Sequence, residues 1–416
     1  MRTEGRRRAA SGADRFLCYR HGVQPTERPV TLRSLGLSVY LPSLLFFIGD
    51  GAVIPIVALA ARDHGASAAM AGFVVALRGL GVLAFDVPAG WLLSRFGERV
   101  SIAAASATVV LTLVGWTLTS SFVLFAALTF AQGCGWSAWQ LARLAYLSEV
   151  LPPDLRGRAM SAVGGTIRVG SFVGPFFGAA ASTLAGFDGV FVFAAVLCST
   201  AAVVMFVYVP PGEGRETRAD PVPVASVVRA HAGVLLTAGL AATSLQALRQ
   251  ARNALLPLWA DHIGLSAEAA SILFGVSIGV EVLLVYPGGS VMDRWGRKAA
   301  AIPCLVIMSI GLALLPSTSA VASLTLVAVL LGVGNGLSSG VVMTLGADLA
   351  PPAARVPFLG VWRLFADFGT AGGPLAVAGA TALLTLGGAA IAVGAGGMLA
   401  AVYVGRFVPE TMRRST

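Results

Sequence analysis

Long apolar runs constrain this chain more than any other feature of its sequence. A bilayer core about 30 Å thick is crossed by roughly 20 apolar residues in a helix, and runs of about that length recur along the chain. The runs are continuously apolar and do not alternate with polar residues, which favours helices over a membrane barrel. The twelve predicted spans are 35–61, 68–93, 101–119, 122–149, 158–184, 188–209, 232–258, 267–289, 299–316, 321–349, 358–384 and 387–408.

The composition agrees with a chain that lies mostly in lipid. Of the 416 residues, 56% are hydrophobic and 12% are charged, whereas a soluble domain carries about 25% charged residues. The only lysine, Lys298, is followed by alanine, so the chain has no phosphate-binding loop of an ATP-driven motor. The cysteines form no closely spaced pair and the histidines lie in tails or at span ends, so we expect no metal, no cofactor and no enzymatic activity.

The arginines predict the orientation of the chain in the membrane. If both termini lie on one side, nearly all basic loop residues lie there too, and the opposite loops offer only Arg62. Basic loops mark the cytoplasmic side. We therefore predict a multi-pass protein of the cytoplasmic (inner) membrane with both termini in the cytoplasm. The net charge of +9 then reflects topology, and no nucleic-acid partner is expected.

The two halves of the sequence repeat each other at one fixed offset of 199 residues. Pro88 matches Pro287, for example, and Gly170 matches Gly369. Two parallel six-helix repeats place a substrate site at their interface near the middle of the membrane. The predicted organisation is a disordered cytoplasmic tail 1–33, a bundle 34–209, a cytoplasmic linker 210–231, a second bundle 232–408 and a tail 409–416.

A motif follows the eighth predicted span, where the chain reads GSVMDRWGRK from Gly289 to Lys298. It resembles the loop signature of the major facilitator superfamily, G-x-x-x-D-R-x-G-R-K. The first-half copy begins at Gly90 and has Ser94 at the aspartate position and Glu98 at an arginine position. The motif residues are Gly90, Ser94, Arg95, Gly97 and Arg99 in the first copy, and Gly289, Asp293, Arg294, Gly296, Arg297 and Lys298 in the second.

A second motif lies in the fifth predicted span, with Gly170, Gly174, Pro175 and Gly178 in the pattern G-x3-G-P-x2-G. It is similar to the antiporter signature of drug:proton exporters in the same superfamily. A stripe of small residues also lets two helices approach closely, so plain packing is the alternative interpretation. The exporter pattern further expects an arginine in the fourth span where this chain has Thr129.

Ionisable residues at membrane depth should face a cavity or a partner, because lipid cannot solvate them. The offset pairs Asp50 with Arg249, and we expect these two residues to face each other across the central cavity. Asp50 is the candidate for proton coupling, with a static salt bridge as the alternative. Arg249 and Arg252 are three residues apart on one helix, and together they are also candidates for binding an anionic substrate.

Further ionisable residues lie within the predicted spans. Arg78 and Glu281 are further candidates for the central cavity. Arg363 and Asp367 are four residues apart and can pair along one helix. The offset also pairs Arg168 with Asp367, so we class Arg168, Arg363 and Asp367 as candidates for structural ion pairs.

The resemblance implies an all-α membrane protein with twelve transmembrane helices in two pseudosymmetric six-helix bundles. It further implies a secondary active transporter that moves a small molecule by alternating access. The favoured prediction is proton-coupled efflux of a drug-like or secondary-metabolite compound by a monomer, with the lipid bilayer, the substrate and protons as partners. The alternatives are nutrient uptake or facilitated diffusion, or a non-transporting membrane receptor on the same fold.

Overall fold

The computed structural model describes residues 36–150, 153–209 and 224–412, and within these ranges the regular structure is entirely helical. The predicted tail 1–33 and most of the predicted linker lie outside the described residues. A short π-helix, Gly36–Tyr40, leads into the first α-helix. The helices are α1 Leu41–Asp63, α2 Ala68–Leu118, α3 Phe122–Val150, α4 Pro153–Tyr208, α5 Val224–His262, α6 Ala267–Trp295, α7 Arg297–Leu314, α8 Val321–Leu337, α9 Val341–Leu349, α10 Arg355–Leu383 and α11 Leu386–Phe407.

Nine helical segments within the described ranges are long and apolar enough to cross a membrane. Helix α2 is interrupted at Gly97 and helix α4 at Ala185 and Gly186. Each interruption falls between two predicted apolar runs. Helices α2 and α4 therefore each contain two of the predicted spans. The chain is a multi-pass helical protein, while the count of twelve spans and the pseudosymmetry remain predictions.

Helix boundaries recur at positions related by the repeat. The Ser67 hydroxyl accepts a hydrogen bond from the amide of Met70 at the start of α2, and Ser266 does the same for Ala269 at the start of α6. Such caps satisfy amides that have no partner within the helix. Gly97 and Gly296 have positive φ values of 73° and 101°, a backbone conformation that glycine adopts without steric cost. The turn within each loop motif therefore depends on its glycine.

Close helix packing through glycine holds the interior together. A Cβ atom on Gly174 of α4 would lie 2.6 Å from the carbonyl oxygen of Ile48 in α1, and one on Gly178 would lie 3.0 Å from that of Ala52. Gly373 of α10 meets the backbone of Ala247 in α5 in the same way. These contacts bring α1 against α4 and α5 against α10, which positions the charged residues of α1 and α5 in the interior.

Candidate central cavity and charged clusters

Two adjacent cavity lobes lie where α1, α2, α5 and α6 meet. The first lobe, here called the Asp50 lobe, has a volume of about 120 Å³ and is lined by Asp50, Arg78 and Trp136 among others. The second, the Arg249 lobe, has a volume of about 270 Å³. Gln250 and Asn253 of α5 line both lobes, so the two are adjacent.

The charges of the Asp50 lobe are balanced one to one. Arg78 of α2 donates through Nη2 to Oδ1 of Asp50 on α1. Asp50 is 8% exposed, and a buried carboxylate of this kind is stable only beside a counter-charge. The expected pairing of Asp50 with Arg249 is wrong in this structure, because the Asp50 carboxylate pairs with the guanidinium of Arg78 on the adjacent helix α2.

Arg249 instead contacts the link between α8 and α9. Its Nη2 atom donates to the carbonyl oxygen of Ser338 at 2.8 Å and to the hydroxyl of Ser338 at 2.6 Å. A longer bond of 3.5 Å joins Nη1 to Oε1 of Gln246 on the same helix. Arg249 thus lines the second lobe, as expected, but without a carboxylate partner among the described residues.

The other charges of the Arg249 lobe form a pair. Arg252, which is 4% exposed, lies 3.3 Å from Oε2 of Glu281 on α6. Asn335 of α8 donates its amide to the same carboxylate oxygen. The structure therefore places three cavity candidates, Arg249, Arg252 and Glu281, around one lobe and places Arg78 with Asp50 around the other.

Arg168 departs from its predicted role as a member of a structural ion pair. Its Nη2 atom donates to the hydroxyl of Ser339 at 2.7 Å, and no described carboxylate oxygen lies within 4 Å. Glu281 is near enough to attract it but is held by Arg252 and Asn335. The Arg168 side chain reaches the α8–α9 link from α4, where the nearby Glu281 is already paired.

Arg363 lies between two carboxylates. Its Nε atom is 3.4 Å from Oδ2 of Asp367 one turn along α10, which is the predicted pair. Its Nη2 atom is 3.3 Å from Oδ1 of Asp86 on α2, which also accepts a hydrogen bond from the hydroxyl of Ser137. The sequence did not reveal that Asp86 belongs to this cluster, because the repeat offset matches Asp86 with the uncharged residue Val285.

Arg143 of α3 is another interior cation. It is 6% exposed, and its guanidinium lies 4.8 Å from the centre of the Trp139 ring. It donates to Ser43 at 3.2 Å and to Gln140 at 2.6 Å. An arginine stacked on an aromatic face is stabilised by the ring as well as by hydrogen bonds, and neither cavity lobe includes this residue.

The second loop motif is fixed by acidic residues. Arg297 lies 2.8 Å from Oδ2 of Asp348, and Lys298 donates to the carbonyl oxygen of Gly405 at 3.0 Å. Glu410 accepts hydrogen bonds from the backbone amides of Arg297 and Lys298 at the start of α7. Burial alone would raise the pKa of Glu410, but these and two further backbone amides outweigh it and hold the pKa below its ordinary value. The motif residues Gly289, Asp293, Arg294 and Gly296 precede this cap, and Asp293 and Arg294 are exposed.

The first loop motif has no such acidic partners among the described residues. The Ser94 hydroxyl donates to the carbonyl oxygen of Trp91 in its own helix. Arg95 lies over the Trp91 ring at 5.9 Å, and Arg99 lies over the Phe206 ring at 4.1 Å. Gly90 and Gly97 stand in α2 before and within the turn. The two copies are thus held by different interactions, aromatic in the first and ionic in the second.

The fifth-span motif acts in this structure as a packing surface. Gly170, Gly174 and Gly178 face the backbone of α1 at distances that leave little room for a side chain, and Pro175 lies within α4. This observation supports the packing interpretation. A role of the motif in antiport remains a proposal.

Comparisons with known proteins identify the class. Residues 39–374 and 240–416 match the Major Facilitator Superfamily. These matches cover most of the chain, and the protein therefore belongs to the major facilitator superfamily of membrane transporters.

Similarity to individual relatives defines the function less precisely than the family match defines the class. Multidrug resistance protein MdtH of Klebsiella pneumoniae (strain 342) is 26% identical over 362 residues, covering 82% of this chain and 85% of the relative. The crystal structure of nucleoside transporter NupG has a TM-score of 0.72 at 14% identity, covering 92% of this chain and 100% of that one. A D-xylose–proton symporter also has a TM-score of 0.72, at 18% identity, covering 93% and 100%. These two likenesses show the shared fold alone.

Proposed function

We propose that this protein exports a small molecule by alternating access in exchange for protons. In this proposal twelve helices form two six-helix bundles in the inner membrane, both termini are cytoplasmic, and the protein acts as a monomer. The relative named as a multidrug resistance protein supports export of a drug-like or secondary-metabolite compound. The observation that carries the proposal is the buried Asp50–Arg78 pair on the wall of a central cavity.

Asp50 is the proposed proton site, with Arg78 as the partner that controls it. In the structure the guanidinium neutralises the carboxylate, and both side chains are largely removed from solvent. A change that withdraws Arg78 leaves a buried carboxylate without a counter-charge, and such a group takes up a proton. Return of Arg78 then releases that proton. This cycle links proton movement to the state of the cavity.

The test compares Asp50→Asn with the parent protein in vesicles that carry an imposed proton gradient. We expect loss of substrate accumulation against its gradient, whereas exchange of labelled for unlabelled substrate continues because it requires no net proton movement. Asp261→Asn is the matched control, since it removes a carboxylate from an exposed ion pair. Accumulation at the parental rate by Asp50→Asn would show that Asp50 is not the coupling site.

A further inference from the structure

Guanidinium groups outnumber carboxylates around the cavity. Asp50 is matched by Arg78, and Glu281 is matched by Arg252. Two further arginines, Arg168 and Arg249, contact the same region without a described carboxylate within 4 Å. Two cationic side chains beside the Arg249 lobe are therefore held by hydrogen bonds to neutral groups.

These two cations converge from different helices on consecutive serines. Arg168 of α4 donates to Ser339, and Arg249 of α5 donates to Ser338. Both serines lie in the break between α8 and α9, where Gly340 has a φ of 91°. The Nε atom of Arg249 is buried and has no hydrogen-bond partner among the described residues. One guanidinium donor without a partner thus lies next to the Arg249 lobe.

An interior cation without a counter-charge is costly in a membrane protein. Because water is scarce there, an anion that binds between the two guanidinium groups replaces weak neutral contacts with charge-assisted hydrogen bonds. The oxygens of carboxylate and phosphate groups match the fork of arginine donors. The unmatched charge therefore favours one class of ligand.

We propose that the transported compound is a small amphipathic organic anion whose acidic group binds between Arg168 and Arg249. This inference rests on the proposed transport function and specifies its substrate class. The rest of the lobe fits an apolar body, because Ile54, Phe274 and Ile278 line it together with the polar groups. The lobe volume of about 270 Å³ suits a compact ligand and not a large one.

The position of the two arginines links binding to conformational change. Arg168 belongs to the first predicted bundle, and Arg249 and both serines belong to the second. An anion held by both guanidinium groups bridges the bundles and adds to the bond that Arg168 makes to Ser339. A ligand that binds both arginines at once therefore favours the arrangement in which the two predicted bundles meet at this lobe.

Binding of three probes with one apolar body tests the proposal on the full chain in lipid nanodiscs. The probes are 2-naphthoate, the neutral 2-naphthamide and the cationic 2-naphthylmethylammonium, and the readout is calorimetric affinity. We expect 2-naphthoate to bind about tenfold more tightly than the amide, the range for a hydrogen bond to a charged group, and the cation to bind more weakly still. Equal affinities, or no measurable binding of 2-naphthoate, would overturn the proposal.

Variants then locate the site. Arg168→Gln and Arg249→Gln should each lower the affinity for 2-naphthoate about tenfold and leave 2-naphthamide unchanged, while the lysine variants keep most of the preference. Arg143→Gln removes a buried arginine outside the lobes and should keep the preference in full. Unchanged anion affinity in both glutamine variants contradicts the assignment. If a variant does not fold, the three probes on the parent protein still decide.

This test is separable from that of proton coupling, because binding in nanodiscs requires no gradient. If Asp50→Asn still drives uphill transport while 2-naphthoate retains its preference, only the coupling proposal fails. If transport depends on Asp50 but the probes bind equally, only the substrate class fails.

Discussion

Two ion contacts join the predicted bundles at opposite ends of the molecule, and their surroundings differ. At one end, Arg62 of α1 and Asp261 of α5 lie 3.2 Å apart with side chains 41% and 38% exposed. Towards the other end, Arg363 lies between Asp86 and Asp367, whose side chains are only 11% and 14% exposed. The first contact has one acid for one base, and the second has two acids for one base.

The difference in burial implies a difference in how firmly each end is held. An exposed ion pair contributes about 0–1 kcal/mol, since water and salt screen it. Removing one partner of a buried ion pair lowers the stability by about 3–5 kcal/mol, because water does not solvate the charge that remains. The contact at Arg363 should therefore control separation of the bundles, whereas the contact at Arg62 only aligns two helix ends.

The largest expected effect comes from Arg363→Ala. The change leaves both Asp86 and Asp367 without their guanidinium, and we expect a loss of about 3 kcal/mol of stability, at the lower end because Arg363 itself is partly exposed. Thermal unfolding in detergent measures the loss. A cysteine can also be introduced in place of Gln250, which lines both lobes. Its labelling by a thiol reagent added on the Arg363 side should increase.

A matched variant keeps this prediction specific. Asp367→Asn leaves the contact between Arg363 and Asp86 in place and removes the excess carboxylate, so we expect little loss of stability. Adding Asp367→Asn to Arg363→Ala should recover part of the stability, because only one carboxylate then lacks a partner. If the three variants unfold alike, the cluster does not hold the bundles together.

A smaller effect is expected at Glu410, which accepts bonds from the first amides of α7. This contact joins the predicted C-terminal tail to the second bundle and does not cross between the bundles, so Glu410→Ala should lower stability by about 1 kcal/mol, as loss of a helix cap does. Labelling at position 250 should not change. Increased labelling would mean that stability alone controls access, which would remove the distinction between the two ends.

The pH dependence of Glu410 follows from its lowered pKa. A carboxylate with a depressed pKa stabilises the fold fully above its ordinary value of about 4.3, and that contribution is lost as the pH falls through the folded pKa. The stability advantage of the parent over Glu410→Gln should therefore shrink as the pH falls below about 4. An advantage that persists unchanged in acid would show that the cap does not depend on charge.

Local patterns in the sequence predicted the features that depend on neighbouring residues. The apolar runs placed the helices, and the i, i+4 spacing placed Arg363 beside Asp367, because both follow from helix geometry. The glycine spacing in α4 indicated a close helix contact, and the structure shows it against α1. The sharp turns at Gly97 and Gly186, which join consecutive helices with little intervening loop, were not visible from hydropathy, because hydropathy reports polarity and not backbone conformation.

The partners of the interior charges could not be predicted in the same way. The repeat offset relates Asp50 to Arg249, but equivalence in two bundles does not imply contact between them. Asp50 pairs with Arg78 because α1 and α2 are neighbours, and Arg249 reaches Ser338 because α8 ends beside α5. Contact between helices depends on their relative rotation and height, and a single sequence does not encode these in any local pattern.

The smallest expected effect concerns the exposed pair. Arg62 also donates to the carbonyl oxygen of Ala66 at 2.9 Å, so replacing Arg62 would disturb the loop as well, and Asp261→Asn is the cleaner change. We expect a loss below about 1 kcal/mol that vanishes in 1 M salt, where the screening length falls to about 3 Å. A double-mutant cycle with Arg62→Gln in thermal unfolding measures the coupling. Salt screens a buried charge much less than an exposed one. A coupling energy above about 2 kcal/mol that persists in 1 M salt would therefore show that the Arg62 contact behaves as a buried ion pair, like the contact at Arg363. Separation of the bundles would then require breaking a strong contact at either end.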